Sequence, residues 1–196
     1  DVLRMPEYKR ARYIGRVFQD PQKGSVPDLT ILENMALADN KNKLYSLVPA
    51  IKRNRIDYYK SLLEVCNMGL EDRLDTLVGT LSGGQRQALA LVIANMSDIS
   101  LLILDEHTAA LDPKTAAKVL SITKEIVEEE KLTTIMITHN MKDAIAYGNR
   151  LIMMHEGRVV VDVSGEEKKK LTVEQLLELF SRASGSDEVN DKLILS

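Results

Sequence analysis

Only one cysteine occurs in the chain, so no internal disulfide can form, and its lone thiol fits a reducing compartment. Cys66 falls on an apolar position of a helical pattern, where a small buried hydrophobe is sufficient explanation for it. Long apolar runs are missing as well. None approaches the ~18 residues that a membrane-spanning helix needs, and no signal-peptide pattern opens the chain. Any service to a membrane would run through a partner, from the cytoplasmic face. An excess of one charge sign is the third absence: the formal net charge is −3, with Lys and Arg scattered. That balance gives no global pull toward nucleic acid or anionic lipid, so no nucleic-acid partner is expected. Internal repeats and low-complexity blocks are absent, and Lys168, Lys169 and Lys170 read most simply as a solvated turn.

What remains is a chain of 196 residues with 44% hydrophobic content, enough for one or two compact units with a real core. Residues 13–18 have the β-branched and aromatic content of a strand, ended by Gln19, Asp20 and Pro21. Thr30 and Glu33 form a capping-box pattern and predict a helix through about Ala38, with a polar linker over 39–43. Ile56, Tyr59, Leu63 and Cys66 recur at helical spacing within 51–67, before a stop at Gly69. A short helical turn is expected over 71–74. Residues 101–104 and 135–137 are short unalternating apolar runs, the pattern of strands buried on both faces of a parallel sheet. Between them Asp112 and Pro113 start a helix over 114–131, with Ala117, Leu120, Ile126 and Val127 as buried candidates. Asn140 caps a helix ending near Tyr147 and Gly148. A β-hairpin over 151–163 turns at Glu156 and Gly157, Thr172 with Gln175 opens a last helix to about Arg182, and 184–196 read as a flexible tail.

The most informative helix start is at Leu81, Ser82, Gly83, Gly84 and Gln85. Ser82 and Gln85 form another capping box. Two glycines in the first turn each cost roughly 1 kcal/mol against alanine in a helix interior, so something other than helix stability favours them. Bare backbone admits a close ligand, and a helix N-terminus attracts anions, phosphate above all. An ordinary capped helix with a flexible entry is the alternative from these residues alone.

Asp105 and Glu106 end the 101–104 run. Ligands in open α/β sheets bind beyond the carboxyl ends of strands, and alternation points the two carboxylates in different directions. Asp105 is suited to Mg²⁺, which takes few carboxylates and several waters, and Glu106 to polarising a water. A pair of helix-capping acids in a βα loop is the alternative for them when they are taken alone. His107 reads by default as a surface histidine.

Taken in order, these stretches resemble the ATP-binding cassette (ABC) ATPases. Residues 81–85 resemble the family's signature motif, 17–21 its Q-loop, 101–106 its Walker B strand with the catalytic Glu, 110–112 its D-loop, and Thr138 with His139 its switch histidine. The resemblance implies an α/β, P-loop NTPase-like (RecA-like) parallel sheet flanked by helices, with an α-helical subdomain inserted over 28–96. Residues 1–27 plus 97–183 would form the partial ATPase core. It further implies ATP and Mg²⁺ as cofactors. Glu106 and His139 would be catalytic, Asp105 and Gln19 would serve the metal, and Gln19, Ser82, Gly83, Gly84, Gln85 and Asp112 would contact nucleotide. Pairing would be head to tail with a second cassette, so that Ser82 to Gln85 and Asp112 serve the partner's ATP. A cassette without a membrane span resembles the cytoplasmic subunit of a bacterial importer, which implies transmembrane permease subunits and a solute-binding protein. Position 107 is commonly proline in the family and is His here.

One family element is missing. No Gly-x-x-x-x-Gly-Lys-Ser/Thr string occurs, although its amides and lysine hold the β- and γ-phosphates. The family places it upstream of the Q-loop, so an N-terminally truncated cassette is expected, inactive by itself. The family sheet sets the P-loop strand beside the strand ending at His139, and its loss would leave an apolar edge exposed. Two readings follow: an ATP-hydrolysing transporter subunit, and a catalytically silent module that retains one half-site.

Overall fold

The structure, a computed structural model, describes residues 2–41 and 49–184. The end of the expected linker at 42–43 and the tail over 185–196 lie outside the described residues. The chain divides into two compact units, 1–137 and 138–196.

The first unit is built on a parallel sheet of three strands, in order β1 (Ile14–Val17), β2 (Leu101–Asp105) and β3 (Thr134–Ile137). Ile14 pairs with Leu101 and Val17 with Leu104, while Leu102 pairs with Thr134 and Asp105 with Ile137. Such parallel neighbours require long crossovers, and here helices supply them. A short helix, α1 (Glu7–Arg10), precedes β1. Between β1 and β2 come α2 (Ile31–Asn40), α3 (Ile56–Glu64) and α4 (Gly83–Asn95), and α5 (Pro113–Glu129) joins β2 to β3. The capping boxes at Thr30 and Ser82 form as their spacing requires, with both reciprocal hydrogen bonds present.

One face of this sheet is the core. Val17, Leu102 and Leu104 are fully or almost fully buried, together with Leu89, Leu91, Ile122 and Ile126 of α4 and α5. The opposite face is partly open among the described residues: β2 alternates half-buried and buried positions, and Ile135 and Ile137 on β3 are 52% and 45% exposed. The unalternating runs are therefore buried on one side rather than two.

Other departures are local. The helix expected from 51 begins at Ile56, after a 3₁₀ turn over Arg53–Arg55, and 71–74 form turns rather than helix. Ala117 is exposed, whereas Val119, Leu120 and Ile122 face the core. The helical period fits either assignment to within a residue, and packing decides it.

In the second unit, α6 (Met141–Ala146) is capped by Asn140. The antiparallel pair β4 (Arg150–His155) and β5 (Arg158–Ser164) follows, with an irregularity between Met153 and Met154. After the short α7 (Gly165–Lys169), α8 (Val173–Ser184) opens at the expected Thr172–Gln175 box. Met141, Leu151, Val161, Val163 and Leu176 form its core. Lys168 is not part of a solvated turn: it is 3% exposed, and its ammonium donates to the carbonyls of Ile145 (2.6 Å) and Tyr147 (2.9 Å) at the end of α6. Burial lowers its pKa. Its ammonium closes the C-terminal end of α6.

Candidate functional site

Two parallel strands deliver the acidic residues. β2 ends at Asp105, and the ladder then continues by one hydrogen bond, from the Glu106 amide to the Ile137 carbonyl (3.0 Å). Glu106 itself adopts a left-handed backbone (φ 46°), a conformation uncommon outside glycine. The chain turns sharply there and sends His107 inward. His107 is 3% exposed, which corrects the surface placement expected from sequence. Its Nε2 lies 3.1 Å from Thr123 Oγ1, whose hydroxyl donates to the Val119 carbonyl at 2.8 Å. The one hydroxyl proton is committed to Val119, so Nε2–H is the donor to Thr123. Burial pushes its pKa down to about 4. His107 thus fastens the turn carrying Glu106 to α5.

Asp105 receives a hydrogen bond at 2.5 Å from the Arg16 guanidinium of β1. The guanidinium also stacks over Phe18, 4.6 Å from the ring centroid. Gln19 follows Phe18 in an exposed bend beyond β1, so Gln19, Asp105 and Glu106 all sit at the carboxyl ends of neighbouring strands. Asp105 is thus a single carboxylate engaged by a guanidinium, and among the described residues no group of three or more His, Cys, Asp or Glu gathers to hold a metal ion by itself.

The glycine pair opens α4 beside the start of α5. Asp112 caps α5 by accepting from the Thr115 amide (3.1 Å). Hydrogen bonds from the Thr115 hydroxyl and amide hold the Asp112 carboxyl below the usual carboxylate range. A Cβ on Gly84 would stand 2.1 Å from Thr115 Cγ2, and one on Gly83 would stand 3.3 Å from Leu111 Cδ2. The close approach anticipated at the glycines is real, and the approaching groups belong to this chain. Ser82, exposed, and Gln85, whose side chain also donates to the Met68 carbonyl at 3.3 Å, complete the helix start. Ser82 to Gln85 and Asp112 are therefore brought together.

His139 belongs to the second unit, exposed, just before the Asn140 cap. Asp143, in the first turn of α6, has its pKa raised, chiefly by burial, an effect that the nearby His139 partly offsets.

Sequence reasoning passed over two polar residues here. Gln87, 1% exposed, donates from α4 to the Phe18 carbonyl (3.0 Å), and Asn34, 4% exposed, bonds with Val26 and Thr30 below the Q-loop region. An amide on the apolar face of each helix was the available signal.

Comparison with known proteins decides the family. The family described as ABC transporter matches residues 3–109, more than half of the chain. The chain belongs to the ABC transporter family. A tyrosine transport ATP-binding protein of Clostridioides difficile (strain R20291) is 48% identical over 93% of this cassette and 72% of its own length. A methionine import ATP-binding protein, MetN 2 of Oenococcus oeni, is 32% identical over 92% of the cassette and 49% of its own length. The cassette thus spans about half of that relative. Among solved structures, cbiO1 from Clostridium perfringens, part of the ABC transporter complex cbiONQ, superposes with a TM-score of 0.70 at 26% identity, covering 93% of this chain and 68% of that one. An ATP-binding cassette in a dimeric post-hydrolysis state bound to ADP and Pi gives 0.64 at 28% identity, covering 80% and 65%. The ABC ATPase fold read from the sequence is the fold observed.

Proposed function

We propose that this chain contributes the Q-loop, Walker B and signature elements of a transporter ATPase that couples ATP hydrolysis to solute import. The observation that carries the proposal is the placement of Asp105 and Glu106 at the carboxyl end of the central parallel strand, with Gln19 at the end of its neighbour. Asp105 would hold Mg²⁺, with Gln19 beside it, and the left-handed turn fixed by His107 would present Glu106 as the base for the attacking water. Held there, Mg²⁺ would offset the charge that develops on the transferring phosphoryl group. General-base assistance of this kind contributes roughly 10²–10⁴-fold. His139 would contact the γ-phosphate, and residues 28–96 would act as the helical subdomain.

The glycine-started α4 and the Asp112 cap, held as one piece by Thr115, would face the ATP of a second cassette paired head to tail. Peripheral attachment to permease subunits at the cytoplasmic face accords with two observations: no described helix is long and apolar enough to cross a membrane, and the relatives are named as import or transport ATP-binding proteins. A solute-binding protein would deliver the cargo. The relatives' names, tyrosine and methionine among them, favour an amino-acid-type solute.

A second reading has its own observation. Residues 1–196 contain no P-loop string, so these residues by themselves offer the half-site that serves a partner and no phosphate cradle of their own. ATPase assay of this chain with Mg²⁺ distinguishes the readings. Turnover is expected to be absent; turnover that disappears in Glu106→Gln would show that the cradle is dispensable.

A further inference from the structure

We propose that Lys168 is a positioning residue for His139: by closing the far end of α6 it fixes the helix onto whose first turn that residue is locked. This rests on the reading of His139 as the γ-phosphate contact. Every residue involved belongs to the second unit. His139 stands within a turn closed by the Asn140 amide, which donates to Thr138 Oγ1 at 3.0 Å. Asn140 in turn joins this segment to α6, its Oδ1 accepting from the Lys142 (2.9 Å) and Asp143 (3.2 Å) amides. Where α6 goes, His139 follows.

α6 spans only Met141–Ala146. Helix nucleation is costly and so short a helix does not persist by propensity, so bonds from outside must hold it. The last carbonyls of a helix have no partner within it. Lys168 reaches those of Ile145 and Tyr147 from α7, which follows directly on β5, and so ties the end of α6 to the hairpin. Its burial makes the residue type informative: an ammonium is costly to bury, and an apolar side chain would fill the space without that cost. Asp143 lies near enough to His139 for the imidazole to act on its carboxyl. Displacing α6 therefore changes both the placement of His139 and the charge beside it.

The chain holds three histidines, so their ring resonances can be read separately by ¹H–¹³C NMR of the full chain at neutral pH. His155 is the internal control, because its ring meets Phe180 edge-on at 5.3 Å within the same unit. Phe180→Leu should move the His155 signal and leave that of His139 in place. Lys168→Met, which deletes the donors, should do the reverse. In that background the displacement that Asp143→Asn causes at His139 should shrink about twofold, as the separation of the two groups roughly doubles. Should Lys168→Met fail to fold, Lys168→Leu is read by the same criteria. An unmoved His139 signal with the Asp143 response at full size overturns the proposal. Joint movement of His139 and His155 does so too, being the mark of general loosening, as does an equal response of His139 to Phe180→Leu. No nucleotide takes part, so these failures leave the phosphate role of His139 standing. That reading fails instead if replacing the matching histidine of a P-loop-intact relative leaves its ATP hydrolysis intact.

Discussion

Thr115 serves two partners at once: its hydroxyl and amide bond to Asp112, and its methyl occupies the space that a Cβ on Gly84 would need, 2.1 Å away. The starts of α4 and α5 are consequently one rigid piece. Gly84→Ala should destabilise the chain by about 1–3 kcal/mol, the usual cost of overpacking, despite alanine's better helix propensity. Thr115→Ser removes the methyl and keeps the hydroxyl, so the double variant should regain most of the loss. Urea unfolding of the four proteins of this cycle measures the coupling, and additive effects would mean that the two residues do not meet.

The His107 imidazole makes the first unit sensitive to acid. Its folded-state pKa, about 4, lies below its unfolded value. The unfolded chain therefore binds the proton first, and stability falls as the pH drops from about 6.5 toward 4. Between pH 7 and pH 5 the loss from this group is about 2 kcal/mol. In chelator-treated protein, His107→Gln should remove that component of the slope, read as the denaturation midpoint at the two pH values. An equally steep slope in the variant would contradict a neutral, buried His107.

How much of this was legible depended on how local each cause is. The caps at Thr30, Ser82, Asp112, Asn140 and Thr172 involve partners within three residues and could be placed by spacing. Burial of His107 and Lys168 could not, because it depends on what α5 and α6 present to them. The Arg16–Asp105 pair joins positions 89 apart and follows from strand register, which short parallel strands do not encode locally. At Gly84 the need for close approach was readable, while the identity of the approaching Thr115 was not. The apolar runs on β2 and β3 were recognisable as strands, but periodicity alone does not say whether one face or two are covered.

The open face of the sheet has a physical consequence. Among the described residues β3 ends the sheet, and the Ile135 and Ile137 side chains lie open on one face of it, an apolar surface of the kind that recruits partners. Sedimentation velocity of the isolated chain should reveal concentration-dependent association. Ile135→Lys should shift the population toward monomer without changing the far-ultraviolet spectrum, and unchanged association would place the sticky surface elsewhere.

The half-site assignment is tested most directly by complementation. A P-loop-intact cassette from a relative, inactivated by substitution of its own signature serine and glycines, is mixed with this chain and assayed for Mg²⁺-dependent ATP hydrolysis. Hydrolysis should appear on mixing and be lost when this chain carries Gly84→Asp, because Ser82 to Gln85 and Asp112 then no longer complete the partner's site. No gain in hydrolysis despite demonstrated association of the two chains would contradict the account.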